Sequence, residues 1–99
     1  MNKQKVSNLL GLAQRAGKII SGEEMVVKAI QDRKVKLVFL AHDASPNLTK
    51  KIQDKSHDYQ VEVITVFSTL ELSIAVGKSR KVLAVTDAGF TKKMRSLME

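Results

Sequence analysis

Three apolar runs, Val35 to Ala41, Val61 to Val66 and Val82 to Thr86, alternate along the chain with segments whose apolar residues recur at helical spacing. This alternation constrains the fold more than any other feature. The first, broken only by Lys36, reads as a buried strand, and the other two as the strands that follow it. The helical segments carry their own start and stop signals. Val6, Leu9, Leu10, Ala13 and Ala16 form one stripe that Gly17 ends. Ile19 and Ile20 suit a very short strand. Ser21-Gly22-Glu23-Glu24 has the Ser-x-x-Glu form of a capping box and opens a helix to about Asp32, burying Val26, Ala29 and Ile30. Ser45-Pro46 opens the next helix, with Leu48 and Ile52 on one face and Lys50, Lys51, Asp54 and Lys55 on the other. Asp43 is expected to help cap it. Ser68-Thr69-Leu70-Glu71 is a second capping box, for a helix ending at Gly77, and a basic loop, Lys78 to Lys81, follows. Asp87 caps the last helix, which buries Phe90, Met94, Leu97 and Met98. Strands and helices in this order imply an α/β domain whose sheet is covered by helices on both faces.

The 99 residues suffice for one domain. Only four aromatics are present, Phe39, Tyr59, Phe67 and Phe90, so the core has to be aliphatic. The absence of Cys excludes disulfides and thiolate metal sites. No stretch approaches the roughly 20 apolar residues that span a bilayer, and the apolar residues near the N-terminus are too interrupted for a secretory signal. A cytoplasmic location follows as the expectation, with no cofactor. Seventeen Lys and Arg against ten Asp and Glu leave a net charge of +7, whose field draws in polyanions. Nothing in that basic surface calls for a dimer, and a monomer is expected.

Candidate sites divide into weak and strong. Gly77-Lys78-Ser79 ends like a phosphate-binding P-loop, but Leu72 stands where the motif needs Gly, and the tripeptide follows a helix instead of preceding one. It reads more simply as a helix stop and a basic loop. His42, beside Asp43 at a strand end, and His57 have no nucleophile or third ligand within reach of the pattern, so they read as surface histidines. The basic residues carry more weight. Positions 1–36 hold Lys3, Lys5, Arg15, Lys18, Lys28, Arg33, Lys34 and Lys36 against Glu23, Glu24 and Asp32. Lys28 shares a helix face with Glu24, and that face starts at a helix N-terminus, where free N–H groups favour phosphate. Lys78, Arg80 and Lys81 add a second basic group.

The segment from Ser21 to Ile30, then Lys36 to Pro46 and Glu71 to Gly77, resembles the ribosomal protein family of L7Ae and L30e, in order and spacing from about Leu9 to Phe90. Within that family the chain resembles a small bacterial paralogue group encoded near translation-factor genes. The resemblance implies a three-layer α-β-α sandwich around a mixed four-stranded sheet. It also implies binding to kink-turn RNA, a sharply bent duplex with tandem sheared G·A pairs. In that family a Gly-x-Asn-Glu motif at the start of the second helix reads the pairs, and a later apolar loop covers flipped-out bases. Here Gly22 matches the Gly, Glu24 stands at the Asn and Met25 at the Glu, and Lys28 matches an RNA-contacting Lys. Ser73 replaces a Gly, and the loop Lys78 to Lys81 is basic where the better-known RNA binders are more apolar.

One RNA-binding domain over residues 1–99 is the leading reading, with ribosome association and ribosomal RNA as the expected partner. Lys18, Gly22, Glu24, Met25, Lys28, Lys78, Ser79, Arg80 and Lys81 would form its contact surface. Glu24 could accept hydrogen bonds from a guanine edge or serve only the capping box; Met25 could pack on a base or on the core. The changed Asn and Glu positions also allow a protein-interaction module of the translation machinery whose RNA site has diverged. An enzyme would need a nucleophile and a base in one constellation, which the sequence does not offer.

Overall fold

The expected alternation is realised as α1 (Lys3–Arg15), β1 (Ile19–Ser21), α2 (Glu23–Gln31), β2 (Leu37–Leu40), α3 (Pro46–Asp58), β3 (Glu62–Ile64), α4 (Thr69–Val76), β4 (Val82–Val85) and α5 (Ala88–Met98). These elements belong to a computed structural model that describes residues 1–99. The strands form one sheet in the order β1-β4-β2-β3. β4 is antiparallel to both β1 and β2, and β2 is parallel to β3, so the sheet is mixed. The two central strands are buried along their whole length, while the edge strands β1 and β3 are only partly so.

Strand periodicity divides the core in two. Leu37 and Phe39 of β2 with Leu83 and Val85 of β4 point to one face, where they meet Val6, Leu10 and Ala13 of α1, Leu72 and Val76 of α4 and Met94 of α5. Val38 and Leu40 with Val82 and Ala84 point to the other, against Val26, Ala29 and Ile30 of α2 and Leu48 and Ile52 of α3. The result is three layers, helix on sheet on helix. Phe90, Leu97 and Met98 pack against the first cluster while staying half-buried. Gly11 allows α1 and α4 to approach closely: a Cβ there would lie 3.0 Å from the Ala75 carbonyl oxygen. No helix is long and apolar enough to cross a membrane.

Three local expectations change. Ala16 lies past the end of α1 and is exposed. The strand expected over Val61 to Val66 shortens to Glu62–Ile64, because the chain turns away there to bury Phe67 instead of Val66. The Phe67 ring meets Phe39 edge-on, centroids 5.8 Å apart. Asp43 does not cap α3; Ser45 does so alone, its Oγ accepting from the Leu48 N–H at 3.2 Å. The Asp43 carboxylate reaches α4, accepting from the Thr69 N–H at 2.9 Å and from its hydroxyl at 2.7 Å. The capping box of Ser68 and Glu71 forms as expected, as does the Asp87 cap of α5.

Thr69 holds the Asp43 carboxyl below its ordinary 3.8. A depressed carboxyl contributes stability that is complete above its ordinary value and is lost as pH falls through the folded value. The melting-temperature gap between wild type and Asp43→Ala should therefore be widest at neutral pH and close in acid. In the core, Phe39→Ala removes a ring with no solvent exposure and should cost about 3–5 kcal/mol, read from urea unfolding.

Candidate nucleic-acid interface

β1 passes into α2 through a corner at Gly22, where φ is 93° and ψ 151°. L-residues seldom adopt that conformation, so the position requires glycine. A Cβ there would meet nothing within 4 Å, which makes the requirement one of backbone geometry alone. Gly22 is also the N-cap of α2, and with no side chain it leaves the first N–H groups of the helix uncapped.

The capping box expected from Ser21 and Glu24 does not form. Ser21 is the last residue of β1, opposite Leu83, and its Oγ accepts from Arg80 Nε at 2.9 Å. Gly22 takes the cap position because sheet pairing claims Ser21. Glu24 is thereby left as the second residue of α2, exposed and unpaired. Its neighbour Glu23 accepts from Lys51 of α3 at 2.9 Å and holds the Lys51 ammonium above its ordinary 10.5. Met25 is 59% exposed, which removes the core alternative for it. Lys28 follows one turn later and pairs with Asp32 at 3.4 Å, not with Glu24.

The antiparallel pairing of β1 with β4 brings the loop Lys78 to Lys81 beside this corner. The Gly22 N–H donates to the Val82 carbonyl at 3.2 Å. Ser73 Oγ accepts from the Arg80 N–H at 3.0 Å and donates to the Arg80 carbonyl at 3.3 Å. Arg80 Nη1 donates to the Ser79 carbonyl at 2.7 Å, and the Lys81 carbonyl accepts from the Ala41 N–H at 2.8 Å. The loop backbone is thus held while Lys78 and Lys81 stay exposed and unpaired. The carboxyl ends of β1, β2 and β3 all lie at this pole, so α2, α3 and α4 begin there with their positive dipole ends.

Lys28 stands in the last turn of α2, and seven of the other eight residues singled out in the sequence gather here. Lys18 does not. Its carbonyl accepts from the Thr86 N–H at 3.0 Å and from the Thr86 hydroxyl at 3.1 Å, at the other end of β1. Four residue steps of extended chain separate it from Gly22, roughly 13 Å. The sequence reading missed two organising residues, Ser21 and Ser73. Ser73 was visible as a departure from the related pattern; Ser21 was hidden by a motif that its own strand prevents. His42 and His57 are exposed, and His57 Nδ1 lies 3.9 Å from Asp58 Oδ1.

A model of the family described as "Ribosomal protein L7Ae/L30e/S12e/Gadd45 family" matches residues 4–95. The chain is 49% identical to a protein of Enterococcus faecium named RNA-binding protein YlxQ, over 99% of this chain and 95% of that one. It is 48% identical to the Bacillus subtilis protein of the same name, over 92% of each. Among solved structures, a Bacillus halodurans protein of unknown function superposes with a TM-score of 0.90 at 45% identity, covering 95% of this chain and 96% of that one. The Giardia lamblia 15.5kD RNA binding protein superposes with a TM-score of 0.83 at 18% identity, covering 95% and 82%, and shares the fold.

Gly22→Ala forces a Cβ into the positive-φ corner and should cost about 1–3 kcal/mol in urea unfolding, although the space is open.

Proposed function

The chain belongs to the ribosomal protein L7Ae/L30e/S12e/Gadd45 family, and from that premise we propose that it binds structured RNA of the kink-turn kind and performs no chemistry on it. The observation that carries this reading is the joint between the Gly22 corner and the basic loop, closed by the Arg80–Ser21 hydrogen bond. It supports a single contact surface made of Gly22, Glu24, Met25, Lys28, Lys78, Ser79, Arg80 and Lys81. The names carried by the relatives, RNA-binding protein in both cases, point the same way. Ribosomal RNA is the partner class that the family's name suggests.

Each part has its own task. The uncapped N–H groups of α2 and the cations of the loop face phosphate, supplying affinity that falls with salt. Base contacts supply specificity. A sheared G·A pair leaves the guanine Watson–Crick edge largely free, and that edge carries donors. Glu24, unpaired and freed from any capping role, is an acceptor of the right kind for it. Met25, exposed next to Glu24, offers a flexible apolar surface to a base face. RNA shape dominates recognition in this scheme.

Titration calorimetry with a kink-turn RNA, and with the same RNA after its G·A pairs are converted to Watson–Crick pairs, tests the reading. Tight binding lost on conversion is the expected result; equal, strongly salt-dependent binding to both would leave only a generic polyanion surface. Glu24→Gln should weaken kink-turn binding roughly 10- to 100-fold, the worth of a hydrogen bond to a charged acceptor. Binding to the converted RNA should hold or rise, because one negative charge is gone.

A further inference from the structure

A cleft of about 430 Å³ lies at the opposite pole from the Gly22 corner, where β4 ends and β2 begins. Arg33, Lys34 and Lys36 line one side, Lys92 and Arg95 of α5 the other, with Asp87 and Glu99 as the only carboxylates. Lys18 lies beside it, since its carbonyl is bonded to Thr86, a lining residue. Sequence reasoning counted the early basic residues together and placed only Lys18 and Lys28 among them on the contact surface. The fold splits them, and this pole receives Lys18, Arg33, Lys34 and Lys36.

Helix dipoles explain only part of the cluster. Arg33 and Lys34 follow the C-terminus of α2, where a cation is favoured in any case. Lys36 and Lys92 have no such reason to be there, and neither they nor Lys34 form an ion pair. Asp87 is occupied in capping α5, accepting from the Phe90 N–H at 2.8 Å. Arg95 is aimed by two bonds, Nε to Glu62 Oε1 at 2.8 Å and Nη2 to the Lys36 carbonyl at 3.2 Å. Arg33 adopts φ 58°, the left-handed conformation that a glycine fills more easily, and stacks over the Tyr59 ring at 5.1 Å. Unpaired cations around an open groove repel one another unless a polyanion neutralises them.

We propose that this cleft seats the sugar–phosphate backbone of a second RNA segment, so that the protein grips RNA at both poles of its sheet. The proposal rests on the RNA-binding reading above and adds a contact that carries no base specificity.

Kink-turn RNA with extended stems is titrated over a series of salt concentrations against wild type and the triple variant Lys34→Gln, Lys36→Gln, Lys92→Gln. Each phosphate contact contributes a slope near −0.9 to log K against log salt for duplex nucleic acid. The triple variant should therefore lose about two to three units of slope while keeping its discrimination against the converted G·A pairs. Arg33→Gly should lower the slope by about one unit and raise the melting temperature, which separates lost charge from lost fold. Unchanged slopes in both variants, with wild type still binding RNA, overturn this proposal alone. Wild type that binds no RNA overturns it together with the reading it rests on. Titration with inorganic pyrophosphate distinguishes a small free polyphosphate: tight saturation of the Thr91 and Lys92 amides by pyrophosphate, with no shift there on adding RNA, assigns the cleft to the small ligand and overturns the RNA contact.

Discussion

The antiparallel pairing of β1 with β4 is a ladder of three residue pairs, Ile19 with Val85, Ile20 with Ala84 and Ser21 with Leu83. Both ends of the molecule take their arrangement from it. At one end it sets Gly22 against Val82 and so lays the basic loop beside the start of α2. At the other it binds the Lys18 carbonyl to Thr86, next to the cleft. A slip of one residue would exchange the layers that Ile19 and Ile20 face and move Ser21 away from Arg80. The register is held because Ile19 packs with the first core cluster and Ile20 with the second.

The layered architecture was legible because two independent periods agree. Apolar runs too long for alternation marked the doubly buried central strands, and helical stripes bounded by Ser45, Ser68 and Asp87 marked the helices between them. What could not be read was decided by contacts distant in sequence. Ser-x-x-Glu is a valid cap only when the Ser is free, and pairing with β4 takes Ser21 out of that role. Asp43 lies close to Pro46 in sequence, yet its carboxylate is used 26 residues away at Thr69. The charge count pointed toward polyanions as a class of partner, but a sum of lysines has no direction. Only the sheet order shows that Lys18 and the loop Lys78 to Lys81 belong to different poles.

Electrostatics in this molecule act through position more than through total charge. Glu23 is held by Lys51, Glu62 by Arg95 and Glu71 by Lys3, so much of the negative charge is tied to nearby cations on the surface. Glu24 is left without a partner in the midst of a positive pole. Exposed pairs of this kind add little stability. Their larger effect is on the potential, since Lys78, Lys81, Lys34, Lys36 and Lys92 remain among the uncompensated charges an approaching polyanion meets.

Both edge strands, β1 and β3, are only three residues long. An open sheet exposes unpaired N–H and C=O groups along each rim, and a long flat rim is a template on which other chains can add strands. Here a stray chain would find too little backbone on either side to hold it, with the exposed Glu62 on the β3 rim adding charge. The brevity that makes β1 a precise joint thus also leaves little template for amyloid-like growth.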